Sequence, residues 1–209
     1  MKSKAKSIEV HENDLPAGLD FGASVALDTE TQGLNLERDR LCVVQLSAGD
    51  GVCHLVRFPD PGSYDAPNLK ALLTDDGVTK ICHFARFDVA AVRKYLGVAC
   101  APVYCTKIAS RLARTYTDRH GLKDVCKELL GVELSKEQQS SDWATETLSA
   151  EQVEYAAADV LYLHRIKDKL DAMLAREDRT GLAEACFAFL ATRAELDLEG
   201  WTEEDIFSH

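Results

Sequence analysis

An apolar run, Val25-Ala26-Leu27, leads straight into Asp28-Thr29-Glu30-Thr31. Such a run reads as a buried strand with two acids at its end. In extended backbone, residues i and i+2 leave the same face, so Asp28 and Glu30 project together. A second pair, in Tyr155-Ala156-Ala157-Ala158-Asp159, is spaced i, i+4 and shares one face of a helix. Asp88, in Arg86-Phe87-Asp88, opens another helical segment. A fold that gathers these four carboxylates must place cations among them, because like charges in one cleft repel. Carboxylate oxygens are hard ligands suited to Mg²⁺ or Mn²⁺. Two such ions side by side are a common device for phosphodiester hydrolysis.

The remaining pattern is that of an α/β chain. Ser24 to Thr29, Arg40 to Ser47, Val52 to Phe58, Val78 to Phe84 and Val103 to Cys105 read as strands. Gly49-Asp50-Gly51 turns the second into the third as a hairpin. Helices are expected over Asn68 to Leu73 behind Pro67, and over Asp88 to Leu96 before Gly97. Others are expected after Cys105 to about Arg114, over Gly121 to Leu130, and over Thr180 to Leu196. Ser149 and Gln152 form a capping-box pattern opening one long helix to about Arg176, with Tyr155 and Asp159 near its start. The expectation is a single domain over 1–209, with a core of about 23–176 and a helical extension over 177–209. At 46% hydrophobic residues, 209 residues suffice for one proper core.

Composition narrows the function classes. Met1-Lys2-Ser3-Lys4-Ala5-Lys6 is basic, but no apolar stretch follows, so a signal peptide is not expected. Nor is any stretch apolar enough for a membrane span. Seven scattered cysteines without a Cys-x-x-Cys pair fit a reducing, cytoplasmic setting. A net charge of −11 argues against tight tracking along a polyanion and suits a small substrate, or simply a soluble protein. Within this acidic chain Tyr104 to Lys127 is a basic island carrying Lys107, Arg111, Arg114, Arg119, Lys123 and Lys127. It reads equally as a solvated face and as a phosphate- or subunit-contacting surface.

In order and separation, the three acidic motifs resemble those of the DEDD 3′→5′ exonucleases in their tyrosine-containing branch, the family of ribonuclease D. The likeness covers about Ala23 to Arg176. It is closer to the short nano-RNase C members through Arg38-Asp39-Arg40-Leu41-Cys42-Val43-Val44-Gln45, Thr115-Tyr116-Thr117-Asp118-Arg119-His120-Gly121-Leu122-Lys123, Gln138-Gln139-Ser140-Ser141-Asp142-Trp143 and the ending Leu198 to Phe207. The resemblance implies an RNase H-like mixed sheet flanked by helices. It implies two divalent ions, Mg²⁺ or Mn²⁺, held by Asp28, Glu30, Asp88 and Asp159, with Tyr155 orienting the attacking water. It implies short single-stranded RNA, above all dinucleotides such as pGpG, as substrate, and a ring-like homo-octamer. Trimming of longer RNA or single-stranded DNA is the alternative activity. A catalytically dead nucleic-acid-binding module is disfavoured, because every acidic ligand is present.

Further site candidates follow from the same likeness, each beside a plainer role. Thr31 and Gln32 would meet the terminal nucleotide, and Leu34 would wedge against bases or pack. His83 and Phe84 occupy the start of the second motif, where many relatives carry Asn, and Phe87 stacks or fills the core. Gln139, Ser140, Asp142 and Trp143 would border the scissile nucleotide, Trp143 equally anchoring its loop. Arg114, Arg119, His120 and Lys136 would cap the substrate's 5′ end. Asp88, taken alone, also reads as a helix N-cap.

Overall fold

Buried apolar runs set the sheet. The computed structural model describes residues 5–135, 138 and 141–209. Six strands, β1 (Ser7–Glu12), β2 (Ser24–Thr31), β3 (Leu41–Ser47), β4 (Val52–Arg57), β5 (Thr79–Cys82) and β6 (Val103–Cys105), lie in the order β1-β4-β3-β2-β5-β6. β4, β3 and β2 pair antiparallel, while β1 with β4, β2 with β5 and β5 with β6 pair parallel. β3 is buried along its whole length, as its near-continuous apolar sequence requires.

Helices cover both faces. α1 (Pro67–Thr74), α2 (Ala85–Ala91, continuing as a π-helical turn over Val92–Leu96) and part of α7 (Thr180–Leu198) enclose one core, which contains Val25, Leu27, Val44, Leu46 and Val56. α3 (Thr106–Ala113), α4 (Leu122–Leu130), α5 (Ala150–Leu161) and α6 (Leu163–Arg176) cover the opposite face, where Ala26, Ile81, Val160 and Ile166 meet. The capping box at Ser149 forms as its sequence pattern indicates: Gln152 N–H donates to Ser149 Oγ, and Ser149 N–H donates to Gln152 Oε1. Gly97, at φ 72°, takes the left-handed cap that ends the π-helical turn.

Four expectations need correction. The core does not begin near Ala23, because β1 adds an edge strand over Ser7–Glu12. Its period-2 alternation rests on two apolar residues, Ile8 and Val10, in a mostly exposed segment, and is a weak local signal; pairing with β4 supplies the rest. β5 stops at Cys82 rather than Phe84. Phe84 then adopts a left-handed conformation, φ 70°, and α2 starts at Ala85. Asp88 therefore lies inside the first turn of α2 and is not its N-cap. The long C-terminal motif helix is broken at Tyr162 into α5 and α6, with no Gly or Pro to announce it.

The basic island is only partly a surface. Arg114 is fully buried. Its guanidinium donates to Glu128 Oε1 (3.2 Å) and Oε2 (2.5 Å), to Ser110 Oγ (2.8 Å) and to the Arg119 carbonyl (2.9 Å). It ties α3, α4 and the 114–120 loop together, and its complete burial keeps it from a substrate end. Replacing it with Ala removes this hub and is expected to cost about 2–4 kcal/mol. Arg114→Lys should recover only part of this, since an ammonium lacks the planar fork. Denaturant midpoints measure both. A loss under about 0.5 kcal/mol for Arg114→Ala, the range of an ordinary surface substitution, would refute the structural role.

Candidate active site

Asp28 and Glu30 leave β2 on the face covered by α5, and both are half-buried. A bulge in the β2–β3 register between Glu30 and Thr31 ends regular pairing beside them. Asp159 comes down from α5, and carboxylate oxygens of Asp28, Glu30 and Asp159 all lie within 4.8 Å of one another. Tyr155 stands one helical turn before Asp159 on the same face of α5, and the Asp159 and Glu30 charges act on its phenol. Strand period and helix period thus bring together the residues that their spacing proposes.

Asp88 stands apart from this trio. It is buried, and its Oδ1 accepts from the Thr29 hydroxyl at 2.7 Å. It is still electrostatically part of the site, since its charge and those of Asp28 and Glu30 act on one another.

Burial is the largest influence on every one of these acids and drives each upward. Asp28 rises to about 7. Glu30, which also feels Asp28, Asp159 and Asp88, rises to about 10. Asp88 and Asp159 lie well above the usual carboxylate range, Asp28 adding to burial in each case. Burial, then the neighbouring carboxylates, raises the Tyr155 phenol as well, so it stays protonated at neutral pH. An all-oxygen donor set whose members are too crowded to ionise together fits a hard divalent cation. Asp28, Glu30 and Asp159 would hold it, with Asp88 approaching from α2.

The surroundings sort the other candidates. Leu34, 87% exposed, lines a cleft of about 430 Å³ with Phe87, Arg86, Gly200, Thr202 and Glu203. The ending of the chain forms one wall of that cleft. Arg86 holds it there through two bonds to Asp197 (2.5 and 2.6 Å) and one to the Thr202 carbonyl (2.6 Å). The Thr31 hydroxyl bonds the Gly33 carbonyl, and Gln32 N–H bonds the Arg40 carbonyl (3.0 Å). A Cβ on Gly33 would meet Asp39 Oδ2 at 2.3 Å, so a side chain here would displace the carboxylate that accepts from Asn35 N–H. Tyr95 clamps the same loop by donating to the Leu36 carbonyl at 2.7 Å.

Phe84 is 45% exposed and carries Lys107 Nζ 4.1 Å above its ring. His83 bonds Thr106 Oγ1 at 2.8 Å and is neutral, burial first and Lys107 second lowering it to about 3. His120 bonds Ser110 Oγ at 2.9 Å, while Arg119 is exposed. Trp143 is 3% exposed and packs 6.1 Å from the Tyr155 ring, so it supports Tyr155 from the core. Asp142 caps its own loop, accepting from Ala144 N–H at 2.9 Å. Lys136, Gln139 and Ser140 lie outside the described residues.

Sequence reasoning passed over two residues here. Gln45, fully buried in β3 opposite Asp28, reaches Asp28 Oδ2 with its amide nitrogen at 3.5 Å. Its signal was available as the one amide within an otherwise apolar strand. Arg86, which fixes the C-terminal wall, had no local signal, since its partner Asp197 is far along the chain.

Known proteins match this architecture. The profile of a 3′-5′ exonuclease family matches residues 7–175. NrnC of Brucella melitensis superposes with a TM-score of 0.94 at 58% identity, covering 97% of this chain and 98% of that one. That protein has also been solved bound to pGG and with bound Mg²⁺. Ribonuclease D of Xanthomonas oryzae is 35% identical over 86% of this chain. The chain spans 48% of that relative's length. Escherichia coli RNase D superposes with a TM-score of 0.73 at 26% identity, over 87% of this chain and 48% of that one. By motif order, fold and extent of match, the chain belongs to the 3′-5′ exonuclease family.

Proposed function

We propose that the chain is a 3′→5′ exoribonuclease that uses two divalent ions, Mg²⁺ or Mn²⁺. It hydrolyses short RNA, dinucleotides such as pGpG above all, to nucleoside 5′-monophosphates. The observation that carries this reading is the meeting of Asp28, Glu30 and Asp159 within 4.8 Å, with Tyr155 one helical turn before Asp159 on α5.

Bound divalent cations supply Lewis acidity, lowering the pKa of the attacking water and offsetting charge on the phosphate oxygens. The protein supplies position. Asp28 and Glu30 are fixed by β2, and Asp159 by α5. Tyr155, kept protonated by burial and the neighbouring carboxylates, orients the water first, proton transfer being its secondary role. Cleavage of the P–O3′ bond leaves the phosphate on the released nucleotide. Leu34 and Phe87, in the cleft closed on one side by Gly200 to Glu203, offer apolar surface to bases.

Preference for dinucleotides is supported by the likeness to the protein solved with pGG and by the net charge of −11. Assembly as a homo-oligomer, with the octamer as the expected size, is supported by exposed Leu34, Tyr116 and Phe207. Action in the cytoplasm is supported by seven free cysteines, and none of the described helices is long and apolar enough to cross a membrane. Equimolar 5′-labelled two-residue and seven-residue RNAs, incubated with Mg²⁺ or Mn²⁺, test the substrate. The dinucleotide should disappear at least roughly tenfold faster. Stepwise shortening of the longer RNA at a similar rate would instead favour an open, ribonuclease D-like groove. Light scattering on the same preparation should give a multiple of 23.0 kDa, and a monomer would refute the assembly.

A further inference from the structure

On the sheet face away from Asp28, a second group of side chains converges at the β1 edge. Glu9 and His54 are directly opposite in the parallel β1–β4 register, and His11 follows Glu9 on the same side of β1. The residues flanking His54 face the other way: Cys53 Sγ approaches the Ala157 carbonyl of α5, and Leu55 packs with Trp143 and Ala156. His54 instead turns toward Phe21, whose ring meets it edge-on at 5.6 Å.

Three ligand atoms meet there. His11 Nε2 lies 3.1 Å from His54 Nδ1, His54 Nδ1 lies 3.5 Å from Glu9 Oε2, and His11 Nε2 lies 4.0 Å from Glu9 Oε2. A triangle with those sides has a circumradius of about 2.1 Å, the length of a Zn–N or Zn–O bond. The two imidazole side chains are only 15% and 10% exposed, whereas Glu9 is 52% exposed. Two sheltered nitrogens and one carboxylate at the surface leave an open side toward solvent. Imidazole nitrogen selects first-row transition metals over Mg²⁺. The site thus differs in ligand chemistry, as well as in sheet face, from the all-carboxylate site.

We propose that Glu9, His11 and His54 form a binding site for a transition-metal cation of the Zn²⁺ class. Its effect is to clip β1 onto β4. β1 is the edge strand that gains from such a clip, because among the described residues it pairs with β4 alone. Without the metal, one ring donates its N–H to the other. Ligation replaces that single hydrogen bond with three bonds spanning the two strands.

The test uses the full chain saturated with Mg²⁺, so that the acidic site is engaged, and titrates Zn²⁺ by calorimetry. One further equivalent per chain is expected to bind. It should slow hydrogen exchange of the Ser7–Glu12 amides and raise Tm by roughly 5 °C. Co²⁺ as the probe should give the visible absorption of a low-coordinate nitrogen site. His11→Gln should lose the equivalent. Glu9→Gln alters an exposed residue and tests the same bond without disturbing packing; it should weaken binding at least about tenfold. The proposal is overturned if both variants bind as many equivalents as the parent. Protection by Zn²⁺ that is confined to the Asp28 region would overturn it equally.

Discussion

Asp28→Asn is expected to abolish hydrolysis while leaving the fold intact. Loss of a partner outside the ligand shell commonly costs about 10–100-fold, and loss of a ligand shared at the centre should cost roughly 1,000-fold or more. The change is nearly isosteric. Asp28 is half-buried between Gln45 and the two other acids, and its side chain makes no ion pair with any of the described residues. Gln45 Oε1, buried without a hydrogen-bond partner, could accept from the new amide. Asn at this position should therefore match or exceed the parent in Tm without metal, because one charge leaves a crowded cluster. Product release from a labelled dinucleotide, read together with a melting curve, separates the two effects. Retained activity would refute the metal-ligand assignment, whereas loss of both activity and fold would show that Asp28 is structural.

How much of this was legible in the sequence depended on whether the signal was local. β2, β3 and β4 are apolar runs bounded by turns, and the structure reproduces them within a residue or two. Asp28 with Glu30 and Tyr155 with Asp159 follow from period 2 and period 3.6, which need no tertiary information. β1 was not legible. Its residues alternate without a buried face, and the strand exists because β4 offers an open edge. The start of α2 was not legible either, since nothing local announces the left-handed conformation of Phe84. Arg114 misled for a related reason. A lone Arg in a basic island reads as surface, whereas its burial depends on Glu128, fourteen residues on. Asp88 was identified by motif order, but its tie to Thr29 was visible only in three dimensions.

Without divalent metal, the protein should lose stability as pH rises from about 7 to 8.5, and Mg²⁺ should remove or reverse that trend. Glu30 is raised to about 10 in the folded chain, and Asp159 and Asp88 are raised in the same direction. In the unfolded chain these carboxyls are ionised above about pH 5. The folded state therefore binds more protons than the unfolded state, and linkage makes stability fall with pH until the folded groups have ionised. Asp28, raised to about 7, contributes its share mainly below that pH. His83, lowered to about 3, acts oppositely, as do the depressed His11, His120 and His164, through the ordinary histidine range and below it, so their effect fades above about pH 7.5. Buried thiols such as Cys53, raised to about 12, add a fall of their own once unfolded thiols ionise near 8.5 and above. Across about pH 7 to 8.5 the acidic cluster and, toward the upper end, the thiols act in the same direction, and comparison with a Glu30 variant separates the cluster's share. Each retained proton is worth about 1.4 kcal/mol per pH unit, or roughly 3–5 °C in Tm for a chain of this size. Glu30→Gln should reduce the slope in EDTA, because it removes one of the groups that hold a proton through this range. In the parent, a flat profile in EDTA would show that the carboxylates are not held protonated by their surroundings. The argument that a cation belongs among them would then lose its electrostatic basis.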